Sequence, residues 1–409
     1  MKRNPTIQVA SIGLLIALPM STQLAGQELR QQQSARLQHY KLTVLSTLGG
    51  QHGDAVGINN RAQVAGFSEL PQDTGGHAVL WTKGVITDLG SVQGGPLSTT
   101  FTNPNERGDV SGMSNTPNPD PNGEDFCFFG TGLICLGFLW HDGVMTPMPT
   151  LGGNNSLAYQ VNNRGQVVGV AETPMTDSTC PAWGFPASYL EAKPVIWQDG
   201  SLQELPTISG DADGVGYGTN DRGQIVGSTG ACNQAFPFSG LHAVLWPNGP
   251  NGGVIDLGNL GATTLNVAFY INNRGQVVGQ AGTKCAHSGG CGLPGDTAFH
   301  AFLWQDGAMT DLGTLPGDAV SWANNINSKS QAVGTSFDAL GNSRAFIWQD
   351  GVMTDLNRLI PADSNFFLAE AFGINERGEI VGFGVLPNIT CTIDLFCNQR
   401  PYLLTPVRP

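Results

Sequence analysis

The hydrophobic positions of this chain fall in short runs, each closed by a tight cluster of Asn, Asp and Gly. The stretch from Ser156 to Leu205 shows the unit. Leu157 to Val161 is β-prone, and Asn162-Asn163-Arg164-Gly165 suits a hairpin, because Asn and Gly tolerate positive φ. Gln166 to Val170 is a Val-rich partner, and Pro194 to Trp197 a third run. Asp199-Gly200 is a second tight turn, and Ser201 to Leu205 a fourth run. Four short strands joined in this way predict an antiparallel meander. The third runs lack a polar face, as in Ala243-Val244-Leu245-Trp246, Ala301-Phe302-Leu303-Trp304 and Ala345-Phe346-Ile347-Trp348. A strand without a polar side is covered on both sides, which predicts sheets stacked against like sheets.

The unit recurs with its hairpin Asn at positions 59, 105, 162, 220, 272, 327 and 375. Such spacing suits one four-stranded blade per repeat. A small residue stands four positions before that Asn (Ala55, Ala158, Gly216, Ala268, Ala323, Ala371), with Phe101 the exception. Small side chains fit an innermost strand, where neighbouring sheets converge on an axis. The seventh copy runs only as far as Arg400-Pro401-Tyr402-Leu403-Leu404, short of a fourth strand. Lys41 to Leu48 (KLTVLSTL) reads like Ala308 to Leu315 (AMTDLGTL) and has no repeat of its own. A repeat divided in this way closes a ring, whereas an open stack of repeats needs capping ends. The expected fold is all-β: a seven-bladed β-propeller whose last blade takes residues 41–48 as its outer strand. The copy around Asn105, with Pro104 before the turn and Asp109 in place of Gln, is expected to be irregular.

Ile271-Asn272-Asn273-Arg274-Gly275-Gln276-Val277-Val278-Gly279 and His300-Ala301-Phe302-Leu303-Trp304 resemble the HAF-type bacterial extracellular repeat family. The resemblance covers roughly residues 40–409. It implies secretion and a repeat scaffold, and it brings no catalytic residues with it. Leu136, Lys193, Arg344 and Arg400 stand where the motif has His, so no role needing His in every blade is expected.

Lys2 and Arg3 precede an apolar run from Ala10 to Met20, and Ala25-Gly26 follows. This is the order of a cleavable signal peptide, too short to span a bilayer. Residues 1–26 are read as that signal, residues 27–39 as a flexible polar lead-in, and residues 40–409 as a single propeller domain. Secretion to the periplasm or the cell exterior is therefore expected, with no membrane span. The formal charge of −13 argues against a nucleic-acid partner, which needs a basic footprint. Eight cysteines fit an oxidising compartment. Three loop-local disulfides are expected (Cys127 with Cys135, Cys285 with Cys291, Cys391 with Cys397), and Cys180 with Cys232 would join neighbouring repeats. A metal at Cys285, His287 and Cys291 is the rival reading.

Catalytic patterns are missing: there is no nucleophile elbow, metal helix or phosphate loop. His77, His242 and His300 share one repeat position and are read as structural. Arg61, Arg107, Arg164, Arg222, Arg274 and Arg377, with Lys329 in the sixth copy, are read as turn or blade contacts. The long variable connections carry all the cysteines and aromatics such as Trp183, Phe185 and Phe236, so that face is expected to bind ligand. Asp120, Asn122, Glu124 and Asp125 have the oxygen density of a calcium loop without the full spacing of one, so they are read as an exposed polar turn and no metal is expected, with calcium the alternative. The reading is a monomeric non-catalytic scaffold without cofactor, binding a carbohydrate, peptide or surface component. The alternative is a polysaccharide hydrolase or lyase with axial carboxylates drawn from Asp54, Asp211, Asp213 and Asp318. A structural or adhesive envelope protein is the third reading.

Overall fold

The computed structural model describes residues 38–178, 190–231, 241–263, 265–283, 298–386 and 399–407. Among them the chain builds seven four-stranded antiparallel sheets. Blade 1 is Gly53–Ile58, Gln63–Glu69, Gly76–Thr82 and Val85–Asp88. Blade 2 is Ser98–Thr100, Val110–Pro119, Leu133–His141 and Val144–Pro147. Blade 3 is Ser156–Val161, Val167–Thr176, Leu190–Gln198 and Ser201–Glu204. Blade 4 is Asp213–Thr219, Ile225–Gly230, His242–Pro250 and Ile255–Asp256. Blade 5 is Val267–Ile271, Val277–Thr283, Ala298–Gln305 and Ala308–Gly313. Blade 6 is Val320–Ile326, Ala332–Phe337, Ser343–Gln349 and Val352–Asp355. Blade 7 is Phe367–Ile374, Ile380–Val385 and Gln399–Pro406, completed by Tyr40–Val44. The fold is a seven-bladed β-propeller.

Closure follows the expected route. Tyr40–Val44 pairs antiparallel with the third strand of blade 7, Tyr40 opposite Pro406 and Val44 opposite Tyr402. Pairing ends sooner than the motif suggested, because the chain there turns to serve blade 1. Leu45 N still bonds Pro401 O, but Ser46 O accepts from the Trp81 indole and Leu48 N donates to Ser68 Oγ. Trp197 to Pro149 O and Trp246 to Pro206 O repeat that indole link between neighbouring blades. The third strands are covered on both sides as expected: Ala243, Val244 and Trp246 are fully buried, and so are Ala301, Phe302, Ala345 and Phe346.

Six inner strands carry a bulge at the same point, between Ala55 and Gly57 in blade 1 and between Ala158 and Gln160 in blade 3, for example. A bulge re-aims one side chain and bends the strand. It also presses the inner strand onto the second one. A Cβ on Gly169 would lie 1.9 Å from Leu157 O, and one on Gly66 equally close to Asp54 O. The Gly that ends each Val-Val-Gly run is thus required by packing. Blade 2 is the irregular one: its inner strand is only Ser98–Thr100, and Phe101, in the place of the small residue, stacks on Tyr159.

The turns between first and second strands, and between third and fourth, are tight and share one face. The long connections open on the other. Residues 179–189, 232–240, 284–297 and 387–398 all belong to second-to-third connections and lie outside the described residues. No helix among the described residues is long and apolar enough to cross a membrane.

Candidate binding site on the propeller axis

The Asn-x-Arg-Gly-Gln hairpin does more than turn the chain. In blade 4, Asn220 Oδ1 accepts from the N–H groups of Arg222 and Gln224, both at 3.1 Å. Its Nδ2 donates to Gln224 Oε1 and, across the blade boundary, to Asn272 O at 3.0 Å. The same bond runs from Asn59 to Asn105 O, Asn105 to Asn162 O, and Asn162 to Asn220 O. It continues from Asn272 to Asn327 O, Asn327 to Asn375 O, and Asn375 back to Asn59 O. Seven buried amides therefore form a closed hydrogen-bonded ring on the axis.

A second ring lies outside it, made by the variable residue after each Asn. Asn60 donates to Glu106, Glu106 N to Asn163, Asn163 to Asp221, and Asp221 N to Asn273. Arg274 spans to Ser328 O, Ser328 donates to Glu376, and Glu376 N donates to Asn60. The turn arginines act between blades: Arg107 reaches Asn163 O and Arg377 reaches Asn60 O. These rings surround a cavity of about 240 Å³ that opens on the tight-turn face.

The floor of the cavity comes from polar residues two positions before the hairpin Asn. Asn103 Nδ2 donates to Tyr270 Oη at 3.1 Å, joining blades 2 and 5. Asn103 Oδ1 accepts from Ile58 N, and Asn325 Nδ2 lies 3.4 Å from it. Gln160 Oε1 accepts from Thr219 N. Burial pushes the Tyr270 phenol up to about 12, so it stays a hydroxyl at any physiological pH. Blades 1, 4 and 7 have Gly at this position. A Cβ on Gly57 would sit 2.3 Å from Thr102 C, so the floor has room for few side chains. The signal for this site in the sequence was faint: Gln160, Tyr270 and Asn325 are polar residues within largely apolar inner strands, and Asn103 follows the short inner strand of blade 2.

The residues singled out from sequence are dispersed. Trp183, Phe185, Phe236, Cys180, Cys232, Cys285, Cys291, Cys391 and Cys397 lie outside the described residues, as do residues 1–37. Cys127 and Cys135 form the expected disulfide. His77 pairs with Asp88 and His300 with Asp311, each tying a third strand to its fourth, and Arg344 reaches Asp355 from the same position. His242 turns instead to Asp211. Of the four axial acid candidates, Asp211 is held by His242 and Thr229, and Asp318 by Arg344. Asp213 accepts from Ala192 N, and Asp54 faces His52 at 3.3 Å. None of the four lines the axial cavity.

The acidic loop of blade 2 divides. Asp125 accepts from Gly130 N, and Asn122 gives its N–H to Asp120 Oδ1. Asp120 and Glu124 point inward to Asn155 Nδ2, at 3.0 and 3.2 Å, and meet Glu172 of blade 3 there, at 3.1 Å. Burial, with Glu172 and Asp120 close by, pushes the Glu124 carboxyl up to about 9. Glu172 lies 48 residues beyond Glu124 on another blade, so no spacing argument could find it.

No family model and no curated protein matches this chain. Among solved structures it is similar to the acylaminoacyl peptidase of Pyrococcus horikoshii, at 14% identity and a TM-score of 0.43. That match covers 83% of this chain and 51% of the peptidase, so the chain spans about half of that protein's length. The β-propeller domain of the Trilobed protease from Pyrococcus furiosus gives 12% identity and a TM-score of 0.42, with coverage of 75% and 81%. A gluconolactonase from Xanthomonas campestris gives 10% identity and 0.37, with 90% coverage of each chain.

Proposed function

We propose that this protein is a non-catalytic, secreted HAF-type binding scaffold, and that its ligand is a small neutral carbohydrate seated in the axial cavity. The observation that carries this reading is the lining itself. Amides alternate with carboxylates around the rim, and an un-ionised phenol stands at the floor. A sugar hydroxyl both donates and accepts, so it pairs with either kind of group. The acids Glu106, Asp221 and Glu376 disfavour phosphorylated or other anionic ligands. Each of them already accepts hydrogen bonds from a neighbouring blade, which suits a fixed recognition surface. The Cys127–Cys135 disulfide and the charged-then-apolar start of the chain support an oxidising location.

The test is calorimetric titration of the purified protein with neutral hexoses, amino sugars and short glycans. Binding should weaken at least tenfold in Tyr270→Phe, which removes only the hydroxyl, while melting is little changed. Binding that ignores both Tyr270→Phe and Asp221→Asn would move the site away from the axis. Release of new reducing ends from a glycan would favour the hydrolase instead.

A further inference from the structure

We propose that the cleft where blade 2 runs into blade 3 binds an uncharged, extended peptide segment through its aliphatic side chains. The cleft has a volume of about 660 Å³, and none of its residues lines the axial cavity. Ligand pockets span roughly 300–1,000 Å³, so the size is sufficient. Its floor is Ile134, Leu136, Pro147, Met148 and Pro149. Met148 is buried, Ile134 and Leu136 are half-buried, and both prolines are exposed.

The floor is apolar because blade 2 departs from its counterparts at two paired positions. In blades 1, 5 and 6 a base on the third strand meets an acid on the fourth: His77 with Asp88, His300 with Asp311, and Arg344 with Asp355. Blades 3, 4 and 7 also have a base at the first position, Lys193, His242 and Arg400. Blade 2 has no charge at either. Leu136 stands for the base, and Pro147 for the acid, opposite Phe138 as Asp311 is opposite Phe302. The two changes fall together, and they leave apolar side chains open to water. Such a surface, rimmed by polar groups, gains from being covered by a partner.

The lining points to the chemistry of that partner. Among the described residues no charged side chain lines the cleft, in a chain of formal charge −13. An ion brought there would lose water without gaining a counter-charge, so the occupant is uncharged. The floor is aliphatic and offers no aromatic ring to stack on a sugar. The rim supplies amides. The side chains of Gln93, Asn118 and Asn154 line the cleft and have no hydrogen-bond partner among the described residues. An amide both donates and accepts, so each can pair with the C=O and N–H of a peptide. The strand edge itself is taken, since Cys135 N and Gly137 N donate to Asn155 Oδ1 and Ser156 Oγ. Main-chain recognition therefore falls to the three amides, beside a strand that the Cys127–Cys135 disulfide braces.

The experiment titrates the full chain by calorimetry with the capped peptides Ac-Ser-Leu-Val-Leu-Ser-NH₂ and Ac-Ser-Lys-Val-Lys-Ser-NH₂, and with maltotetraose. One Leu/Val peptide should bind per chain, and the Lys peptide at least tenfold more weakly. Leu136→His combined with Pro147→Asp installs the pair that blades 1 and 5 already carry, so melting should stay close to that of the parent chain. Affinity for the Leu/Val peptide should fall at least tenfold in that variant. Asn118→Ala, at an exposed side chain, should weaken it several-fold and gives a second reading should the double variant misfold. Tyr270→Phe should leave peptide binding unchanged, which separates this cleft from the axial cavity. Three results overturn the proposal: no binding of the Leu/Val peptide at millimolar concentration, equal binding of the Lys peptide, or peptide binding undiminished in both cleft variants. Maltotetraose binding that survives Tyr270→Phe but is lost in the double variant would overturn it too, by assigning the cleft to a glycan.

Discussion

Asn220 serves four partners at once: two backbone donors of its own turn, the side chain of Gln224, and the carbonyl of Asn272 on the next blade. It is 4% exposed, so groups left behind by truncation gain little from water. Asn220→Ala should therefore cost about 1–3 kcal/mol, the penalty for stranding buried polar groups. Urea unfolding measures it. Asn220→Asp keeps the two acceptor bonds but sets a carboxylate against two carbonyl-type oxygens, so it should not rescue the loss. A different residue controls pH dependence. Burial, with Asp54 nearby, pushes the Glu370 carboxyl from 4.5 up to about 7; Thr335 Oγ1, at 3.4 Å, opposes this. The folded state thus holds the proton more tightly than the unfolded chain does. The resulting stabilisation is full below 4.5 and is lost as pH rises through about 7. Over that window it amounts to about 3 kcal/mol at most. Glu370→Gln should flatten this part of the stability profile, as seen by comparing urea unfolding at pH 5 and pH 7.5. An unchanged slope would mean Glu370 ionises in the fold as it does in water.

Two elements stand out within the blades. The outer strand Tyr40–Val44 buries Tyr40, which packs in one cluster with Phe366, Tyr402 and Leu404. Tyr40 N also bonds Leu359 O. Deleting residues 40–44 exposes the edge of Gln399–Pro406 and uncovers that cluster. A strand edge with apolar neighbours invites pairing with other chains. The expected outcome is a clear fall in melting temperature together with aggregation in light scattering; unchanged melting would show that blade 7 stands on three strands. The second strand shows how packing specifies a glycine. Gly169→Ala puts a methyl group against Leu157 O, which is backbone and cannot swing away. It should destabilise by about 1–3 kcal/mol or more, where Gly143→Ala, with nothing within 4 Å, meets only the backbone strain of its φ of +87°.

In the whole molecule, the seven Asn side chains form a belt that returns to its starting point, since Asn375 bonds Asn59 O over 316 residues. A closed belt gives every blade two neighbours, so no blade is an end. Hydrogen exchange read by mass spectrometry should show the turn amides of Gln63 and Glu379 as protected as that of Gln224 in the middle of the chain. Faster exchange at blades 1 and 7 alone would mean that the seam opens independently. The ring also explains why a weakly charged acidic chain places seven basic residues around one face. Arg107 and Arg377 pair with Asp109 and Glu379 of their own turns, and like Arg274 each also donates to a carbonyl of the next blade.

Local chemistry made much of this legible from sequence. Turn residues, strand period and repeat length are written within some fifty residues, so the blade count, the four-stranded unit and the displaced outer strand could be read from Asn162-Asn163-Arg164-Gly165 and its copies. The role of His77 and His300 was also within reach, because their Asp partners lie 11 residues away. What the tertiary structure decided was which residues meet between blades. The Asn-to-carbonyl belt, the Asn103–Tyr270 floor and the arrival of Glu172 beside Glu124 all join residues tens to hundreds of positions apart. No periodicity in the chain encodes those distances; they exist only once the seven inner strands, six of them bulged, are drawn onto one axis.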